Sequence, residues 1–246
     1  MRFLLTSAGI TNASIRNALV ELAGQTDRRM QRPGHPHCGV LLLPRTCDRL
    51  SAHQRKGSRS LCELGWKSLG VLELTALPSV DKENWIPLVR EVDALLVGGG
   101  DPMYLCDWMR RSGFADLLPS LRREVVYVGV SAGSMAVTPS FGETYNDRPT
   151  AGYRALALVD FALGVHLDHP SMPDNSLANV EAWAAGVPVP THGIDDETAI
   201  KVVDGKVEVV SEGTGSCSRL SADSVPKGQI ELATHGSSAV WSNRID

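Results

Sequence analysis

The chain has 246 residues, of which 43% are hydrophobic, which is enough for an α/β domain with a substantial core. Its net charge of −4 and pI of about 6.0 provide no basic field for binding nucleic acid or an anionic membrane surface. No stretch reaches the ~18 apolar residues that a membrane-spanning helix needs, and the apolar run at the start is too short for a signal peptide, so we expect a cytoplasmic protein.

Strands and helices alternate through the first 130 residues. Five β-rich runs are predicted to form strands: RFLLTS, CGVLLLP, VLELTAL, VDALLVGGG and VVYVGV. Helical spacing of apolar residues is present in ASIRNALVELAG, SRSLCELGWKSLG and PMYLCDWMRRSGFADLLPSLRRE. Near-continuous apolar strands that alternate with helices are typical of a mostly parallel sheet covered by helices on both faces.

After residue 150 the pattern becomes richer in strands. The β-rich segments are LALVDFALGVHL, TAIKVVDGKVEVV, QIELAT and SAVWS, and NSLANVEAWAAG has the pattern of one more helix. The Asp204-Gly205 pair is a strong signal for a β-hairpin. Because the chain contains no internal repeat and no linker-like segment, we predict a single α/β domain over residues 1–246.

Two local features of the composition are interpreted as structural. The basic run at residues 45–60, RTCDRLSAHQRKGSRS, is interpreted as a solvated loop and helix face in preference to a phosphate-binding patch, and its role stays open. The cysteines are odd in number and contain no CxxC pair, which favours reduced thiols over a disulfide framework. They are Cys38, Cys47, Cys62, Cys106 and Cys217.

A serine follows the fifth predicted strand. Residues Gly129 to Gly133 match G-x-S-x-G, the sharp strand-to-helix turn that exposes a nucleophilic serine, here Ser131. The small residues around it permit the tight turn, and the N–H of Ala132 could face a developing oxyanion. The alternative interpretation is a serine that caps a buried helix.

A glycine cluster, LLVGGGDP, ends another apolar strand. Glycines at positions 98–100 allow close approach of the backbone to a ligand, and their N–H groups can form an anion-binding nest. Gly99, Gly100 and the adjacent Asp101 are therefore candidates for oxyanion or substrate binding. The segment matches neither GxxxxGK[ST] nor G-x-G-x-x-G, because Met103 occupies a position that the latter pattern reserves for glycine.

The serine needs a general base, for which His166, His169 and His192 are candidates. His166 is preferred because it interrupts an otherwise apolar predicted strand. A metal site in the HLDH segment is disfavoured, since an extended segment would direct the side chains of residues 166–169 to alternate faces. The carboxylate that orients the base has four candidates: Asp147, Asp168, Asp195 and Asp196.

Five blocks in order resemble the peptidase E group of serine peptidases, the aspartyl dipeptidase family, which is related to cyanophycinases. They are VGGGDPMYL, GVSAGSM, ETYNDRP, LALVDFALGVHLDHPSMPDN and GIDDETAIKV, and the resemblance runs from the first strand to about residue 210. It implies a three-layer α/β/α sandwich similar to class I glutamine amidotransferases. It also implies hydrolysis of peptide bonds by acyl transfer, without a metal or other cofactor.

The resemblance implies roles for individual residues. Ser131 would be the nucleophile and His166 the general base. Asp147 matches the position of the acid in peptidase E, whereas Asp196 matches the acid of cyanophycinase-like members, and we rank Asp147 slightly ahead. The N–H groups of Ala132 and of Gly99 or Gly100 would bind the oxyanion.

One departure concerns the substrate. Aspartyl dipeptidases of this type carry an arginine after the histidine that holds the aspartate side chain of the substrate, but no Arg or Lys lies between Leu167 and Gly193. Arg148 and Arg154 are the nearest replacements in the sequence. Asp-Xaa dipeptides are therefore one candidate substrate class among short peptides.

The sequence thus predicts a serine peptidase that acts on short peptides. One alternative is a degenerate family member that binds a peptide or metabolite without turnover. Another is an α/β-hydrolase esterase, although such enzymes place the acid and the histidine farther beyond the serine. A cysteine amidotransferase is disfavoured because the elbow residue is serine, and a homodimer is the base-rate expectation for the assembly.

Overall fold

A computed structural model describes residues 1–24, 38–43, 68–141, 155–212, 217–220 and 239–240 of the chain. The predicted strand QIELAT and the basic run at residues 45–60 lie outside these residues. The strands are β1 (Arg2–Thr6), β2 (Cys38–Leu43), β3 (Ser68–Glu73), β4 (Ala94–Val97), β5 (Val126–Val130), β6 (Ala162–Gly164), β7 (Thr191–Ile194), β8 (Thr198–Val203), β9 (Lys206–Ser211), β10 (Cys217–Leu220) and β11 (Ala239–Val240).

The helices are interleaved with these strands. They are α1 (Ala13–Gly24), α2 (Lys82–Arg90), α3 (Pro102–Arg111), α4 (Phe114–Leu117), α5 (Ala132–Met135) and α6 (Leu177–Ala185), with short 3₁₀ turns at Leu77–Ser79, Leu118–Ser120 and Pro173–Asn175. In the described part of the chain, no helix is long and apolar enough to cross a membrane.

The main sheet has eight strands in the order β11-β9-β8-β1-β5-β4-β2-β3. The strands from β3 to β1 run parallel, whereas β8, β9 and β11 add on as antiparallel strands. The prediction of a mostly parallel sheet is therefore corrected to a mixed sheet. The physical reason is the tight connection between β8 and β9, because a two-residue turn can join antiparallel strands only.

A second sheet has three strands in the order β10-β7-β6. Strands β6 and β7 are parallel, and β10 pairs with β7 in the antiparallel direction. Helix α6 packs against this sheet, where Val180 and Trp183 contact Ala162 and Leu167 in one hydrophobic cluster. This small sheet matters because the chain segments that leave β6 and β7 carry two of the candidate site residues.

Apolar side chains of β1 alternate between the two faces of the main sheet. Phe3 and Leu5 belong to one buried cluster, and Leu4 belongs to another. Helix α1 packs on the Leu4 face through residues spaced as the sequence predicted: Ile15, Ala18, Leu19 and Leu22. Residues of α2, α3 and α4 belong to the cluster on the other face: Trp85, Val89, Leu105 and Phe114.

The sequence predicted element types better than element boundaries. The helix predicted over residues 58–70 is wrong at its C-terminal end, because β3 begins at Ser68. Residues 58–67 lie outside the described residues. The Asp204-Gly205 hairpin is confirmed: Val203 pairs with Lys206, and the two turn residues have φ values of 49° and 78°. These positive angles are the ones that a type I′ turn requires.

Candidate active site

Ser131 lies at the junction between β5 and α5, and its backbone is strained. It has φ 54° and ψ −116°, a conformation that residues with a side chain rarely adopt. The residue is 7% exposed. Its hydroxyl is therefore held at the end of the strand, at the edge of the core, as a nucleophile elbow requires.

Two glycines explain why the elbow consists of small residues. A Cβ atom on Gly133 would lie 2.1 Å from the Val97 carbonyl oxygen of the neighbouring strand. A Cβ atom on Gly129 would lie 2.7 Å from the backbone nitrogen of Ser134. Both distances are shorter than any tolerated contact, so helix α5 can fold this tightly against β4 and β5 only with glycine at both positions.

Buried hydrogen bonds connect the elbow to the end of β1. The Ser131 N–H donates to the Thr6 carbonyl oxygen at 3.0 Å. The Ser134 hydroxyl accepts from the Thr6 N–H at 2.9 Å and donates to the Thr6 carbonyl at 2.7 Å. Tyr127 donates its hydroxyl proton to the Gly133 carbonyl at 2.7 Å, and complete burial raises the pKa of Tyr127 well above its usual value, so it stays protonated. Hydrogen bonds from β1 and from β5 itself therefore hold the elbow in place.

The His166 ring lies between a serine and a carboxylate. Its Nε2 is 2.9 Å from the Ser131 Oγ, and its Nδ1 is 2.6 Å from the Asp196 Oδ1. His166 is 4% exposed, and the Asp196 side chain is 14% exposed. This arrangement of hydroxyl, imidazole and carboxylate is the geometry in which a histidine activates a serine.

His166 lies just beyond the end of β6, whereas its preference over the other histidines assumed that it interrupts a strand. Strand β6 ends at Gly164, and His166 has a φ of 57° in the following turn. The histidine therefore does not interrupt a strand; the turn after β6 directs its ring toward Ser131. The apolar run before it correctly indicated a strand nearby.

Ser7 is a residue whose role the sequence did not reveal. Its hydroxyl accepts a hydrogen bond from the His166 N–H at 3.1 Å and donates one to the Ile194 carbonyl at 3.0 Å. The hydroxyl thereby joins the backbone of the histidine to the end of β7, two residues before Asp196. The available signal was its position directly after β1, whose carboxyl end lies beside that of β5 in the parallel sheet.

Residues 166–169 form a turn, so the extended segment assumed in the sequence argument is wrong. The His169 N–H donates to the His166 carbonyl at 3.2 Å, and Asp168 has a φ of 53°. The His169 Nε2 lies 3.7 Å from the Asp196 Oδ2, while the Asp168 Oδ1 accepts from the Leu177 N–H at 2.9 Å. Over the described ranges, no group of three or more His, Cys, Asp or Glu side chains could hold a metal ion.

The remaining candidate acids and histidines have other positions. Asp147 lies outside the described residues. Asp195 accepts a hydrogen bond from the Glu197 N–H at 3.1 Å. His192 lies in β7, where its ring packs edge-on against Phe161 with centroids 5.2 Å apart. Of the three candidate histidines, the structure brings His166 to the serine.

The glycine cluster follows β4, directly beside the elbow. The register pairs Val97 with Gly129, so Gly99 and Gly100 follow β4 at the level where Ser131 follows β5. Ala132 is the first residue of α5, where backbone N–H groups lack partners within the helix. Asp101, in contrast, caps α3, because its carboxylate accepts hydrogen bonds from the N–H groups of Met103 and Tyr104.

A cavity of about 290 Å³ adjoins the carboxylate end of the site. Its polar lining is largely acidic, and no Arg or Lys of the described part of the chain belongs to it. The lining residues are Leu167, Asp168, His169, Pro170, Asp195, Asp196 and Glu197. Another cavity, of about 320 Å³, lies at the opposite end of β1 around Met1 and Asp204, and its lining includes none of Ser131, His166 and Asp196.

Comparisons with known proteins agree with the resemblance seen in the sequence. A model of peptidase family S51 matches residues 39–210, which is more than half of the chain. Peptidase E of Streptomyces coelicolor is 36% identical over 94 residues, and the alignment covers 36% of this chain. The match spans only 38% of the length of that relative.

Two solved structures share the fold. A peptidase E candidate from Listeria monocytogenes EGD-e superposes with a TM-score of 0.58 at 19% identity, covering 89% of this chain and 98% of that one. A peptidase from an acI-B1 Actinobacterium superposes with a TM-score of 0.67 at 18% identity, covering 98% of this chain and 96% of that one. At these identities the likeness concerns the fold alone.

Proposed function

The chain belongs to peptidase family S51, a family of serine-type peptidases, and from this premise we propose that it hydrolyses short peptides by acyl transfer through Ser131, His166 and Asp196. The observation that carries the proposal is the continuous line of contacts from the Ser131 hydroxyl through the His166 ring to the Asp196 carboxylate. Its members come from three separate parts of the chain. A serine that merely capped a helix would not need a buried histidine and carboxylate aligned behind it.

The first half of the reaction forms an acyl-enzyme. The Asp196 carboxylate accepts a hydrogen bond from the Nδ1–H of His166, which leaves the Nε2 lone pair facing the Ser131 hydroxyl. His166 takes the hydroxyl proton as Ser131 attacks the peptide carbonyl carbon. The carbonyl oxygen becomes an oxyanion, and the N–H groups of Ala132 and of Gly99 or Gly100 stabilise it.

The second half releases the products. The tetrahedral intermediate collapses when His166 donates its proton to the leaving amine, and the peptide C–N bond breaks. Water then enters and gives a proton to His166 while its oxygen attacks the acyl carbon. The ester bond to Ser131 breaks, and His166 returns the proton to the serine.

Asp196 is preferred over Asp147 as the orienting acid. The support is its contact of 2.6 Å with the His166 Nδ1. An Asp196→Asn variant should keep the geometry but favour the wrong tautomer of His166, which in serine peptidases lowers kcat by about 10⁴-fold.

The substrate side chain is proposed from the charge around the site. The cavity beside Asp196 contains four carboxylates, which would repel an aspartate side chain placed there. Together with the absence of Arg and Lys between Leu167 and Gly193, this favours dipeptide-like substrates without a strict requirement for an N-terminal aspartate.

The wider architecture is part of the proposal. Helices on both faces of the main sheet support a three-layer sandwich of the class I glutamine amidotransferase type. A single domain is supported by the main sheet, which contains strands from residue 2 to residue 240. We place the protein in the cytoplasm on the sequence argument, with short peptides as its partners.

The test compares the native chain with Ser131→Ala on a panel of dipeptides with acidic, neutral and basic first residues. We expect hydrolysis by the native chain and a loss of about 10⁴-fold or more in the variant, because the serine and histidine act as a unit. Ser112→Ala, which removes another buried serine hydroxyl, should remain active.

Covalent labelling separates the alternatives. A fluorophosphonate probe should modify the native chain at Ser131. Labelling without cleavage of any peptide, but with cleavage of simple esters, would favour the esterase. A native chain that neither labels nor cleaves would be a binding protein, and the proposal would be wrong.

A further inference from the structure

A second histidine lies against the proposed catalytic acid, and the reaction as described does not use it. We propose that His169 is a positioning residue that holds the second carboxylate oxygen of Asp196 and so keeps the first oxygen aligned with His166. The inference rests on the proposed function, because it assigns a role within the same site. It adds a fourth side chain to the line of Ser131, His166 and Asp196.

The hydrogen bonding of His169 determines which ring nitrogen carries the proton. The backbone N–H of Ser171 donates to the His169 Nδ1 at 3.1 Å, so Nδ1 acts as an acceptor and carries no proton. The proton of the neutral ring is therefore on Nε2. That nitrogen is the one that faces Asp196.

Each of the two histidines lies beside a different oxygen of the Asp196 carboxylate. His166 Nδ1 is 2.6 Å from Oδ1, and His169 Nε2 is 3.7 Å from Oδ2. The second distance is too long for a direct hydrogen bond, so the attraction between the N–H and the oxygen is electrostatic. The attraction at Oδ2 adds to the hydrogen bond at Oδ1 and so opposes rotation of the carboxylate about its Cβ–Cγ bond.

His169 also lies at the cavity beside the site, which the Asp196 side chain lines as well. The rings of His166 and His169 are edge-on, with centroids 6.1 Å apart and an interplanar angle of 76°. The His169 side chain is 23% exposed and lines the cavity beside the site, while the His166 side chain is 5% exposed. Without this ring, more of the carboxylate would be open to water from the cavity, which would compete with His166 for it.

Two substitutions separate positioning from bulk. His169→Gln keeps an N–H donor close to the position of Nε2, whereas His169→Ala removes both the donor and the ring. Asp174→Asn is a matched control, because this exposed residue belongs to the same segment between β6 and α6 but does not line the cavity. All three variants should fold, which their thermal melting will show.

The first measurement is independent of activity. A proton in a short bond between His166 Nδ1 and Asp196 should give a far-downfield NMR signal. We expect the signal to persist in His169→Gln and Asp174→Asn, and to move upfield or disappear by solvent exchange in His169→Ala. An unchanged signal in all variants would overturn the proposal.

The second measurement is the kinetics of peptide hydrolysis. His169→Ala should lower kcat about 3- to 10-fold with little change in KM, which corresponds to the loss of one modest polar contact. His169→Gln should restore most of the loss. A change confined to KM, or no rescue by Gln, would contradict a positioning role.

The two measurements also distinguish this proposal from the proposed function. If the native chain cleaves no peptide but the NMR signal depends on His169, the peptidase proposal fails, whereas the role of His169 in positioning Asp196 is supported. If the chain is a Ser131-dependent peptidase, but its NMR signal and kcat do not change when His169 is substituted, only the inference about His169 fails.

Discussion

Backbone strain is concentrated at the residues of the candidate site. Three of the five non-glycine residues with positive φ in the described ranges are Ser131, His166 and Asp168. Each such residue costs on the order of 1–3 kcal/mol and persists only where its surroundings enforce it. Here the enforcing contacts are visible, because hydrogen bonds to Thr6 at the end of β1 and to Ser7 directly after it hold the backbone of Ser131 and His166.

Ser7 is the side chain that imposes this conformation on His166. Ser7→Ala should leave the buried His166 N–H without its acceptor and lower kcat by about 10-fold or more, with KM little changed. Ser7→Thr keeps the hydroxyl and should recover part of the activity. The measurement is steady-state hydrolysis of the best dipeptide found with the native chain.

The control for Ser7 is Ser112. Its hydroxyl also bridges a backbone carbonyl and a backbone N–H, of Met109 and Phe114, and the residue is 3% exposed. Ser112→Ala should cost similar stability but leave kcat near the native value. Equal losses of kcat in both alanine variants would show that Ser7 acts through stability alone.

At the residue scale, only some of the candidate site residues could be predicted from the sequence. Ser131 and His166 could be proposed from sequence, because one lies in a recognisable strand-to-helix pattern and the other follows an apolar run. The sequence ranked Asp147 slightly ahead of Asp196, because the contact between Asp196 and His166 depends on the path of the chain after β7, which no local pattern specifies. Ser7 carried no periodic signal that distinguishes it from any serine after a strand.

At the scale of elements, the β5–α5 elbow depends on glycine. Gly133→Ala should displace α5 from β4 and destabilise the fold by several kcal/mol, because the added Cβ would overlap the Val97 carbonyl oxygen. Activity should be lost together with the placement of Ser131. The measurements are the free energy of unfolding in urea and fluorophosphonate labelling.

Gly24→Ala is the matched control for the elbow glycine. No atom of the described residues lies within 4 Å of a Cβ atom built at Gly24, the last residue of α1. This substitution should change the free energy of unfolding by less than about 1 kcal/mol and leave labelling intact. Similar destabilisation by both substitutions would contradict the packing argument.

Elements with a strong single pattern were predicted well. Helix α1 has the predicted residues and the predicted buried face, and the β8–β9 hairpin has the predicted turn. Helix α2 was missed, because Pro87 lies inside it and only Trp85 and Val89 are buried. Strand β7 was also missed, since His192 and Gly193 make its four residues a poor β pattern although all are buried.

At the scale of the whole molecule, burial of the Cys106 thiol makes the free energy of unfolding depend on pH in the alkaline range. Burial raises the pKa of Cys106 from 9.0 to about 12. The folded state therefore keeps a proton that the unfolded chain loses above pH 9. This contribution is fully present below pH 9 and decreases by about 1.4 kcal/mol per pH unit as the pH rises toward 12.

Cys106→Ala tests this dependence. The variant should be less stable at pH 8, because it loses a buried side chain, but its free energy of unfolding should fall less steeply between pH 9 and 11. Tyr127, whose pKa is also raised by burial, contributes a dependence of the same sign in both proteins. Parallel curves from urea unfolding at each pH would contradict the assignment to Cys106.

The global topology was predicted only in part, for a physical reason. Apolar strands alternating with helices indicated the parallel half of the main sheet, and the family resemblance is confirmed. Pairing between β1 and β8 joins residues almost 200 positions apart, and no local pattern specifies it. The division of the last strands between two sheets was likewise invisible in the sequence.

That division determines how the protein can lose its activity. Ser131 extends from the eight-stranded sheet, whereas His166 and Asp196 follow strands of the three-stranded sheet, and Ser7 bridges the boundary through two hydrogen bonds. A small separation along this boundary would move Ser131 away from His166 while nearly all secondary structure remained. Peptide hydrolysis is therefore a more sensitive measure of the native state than circular dichroism. During denaturation, activity should be lost before the secondary structure unfolds.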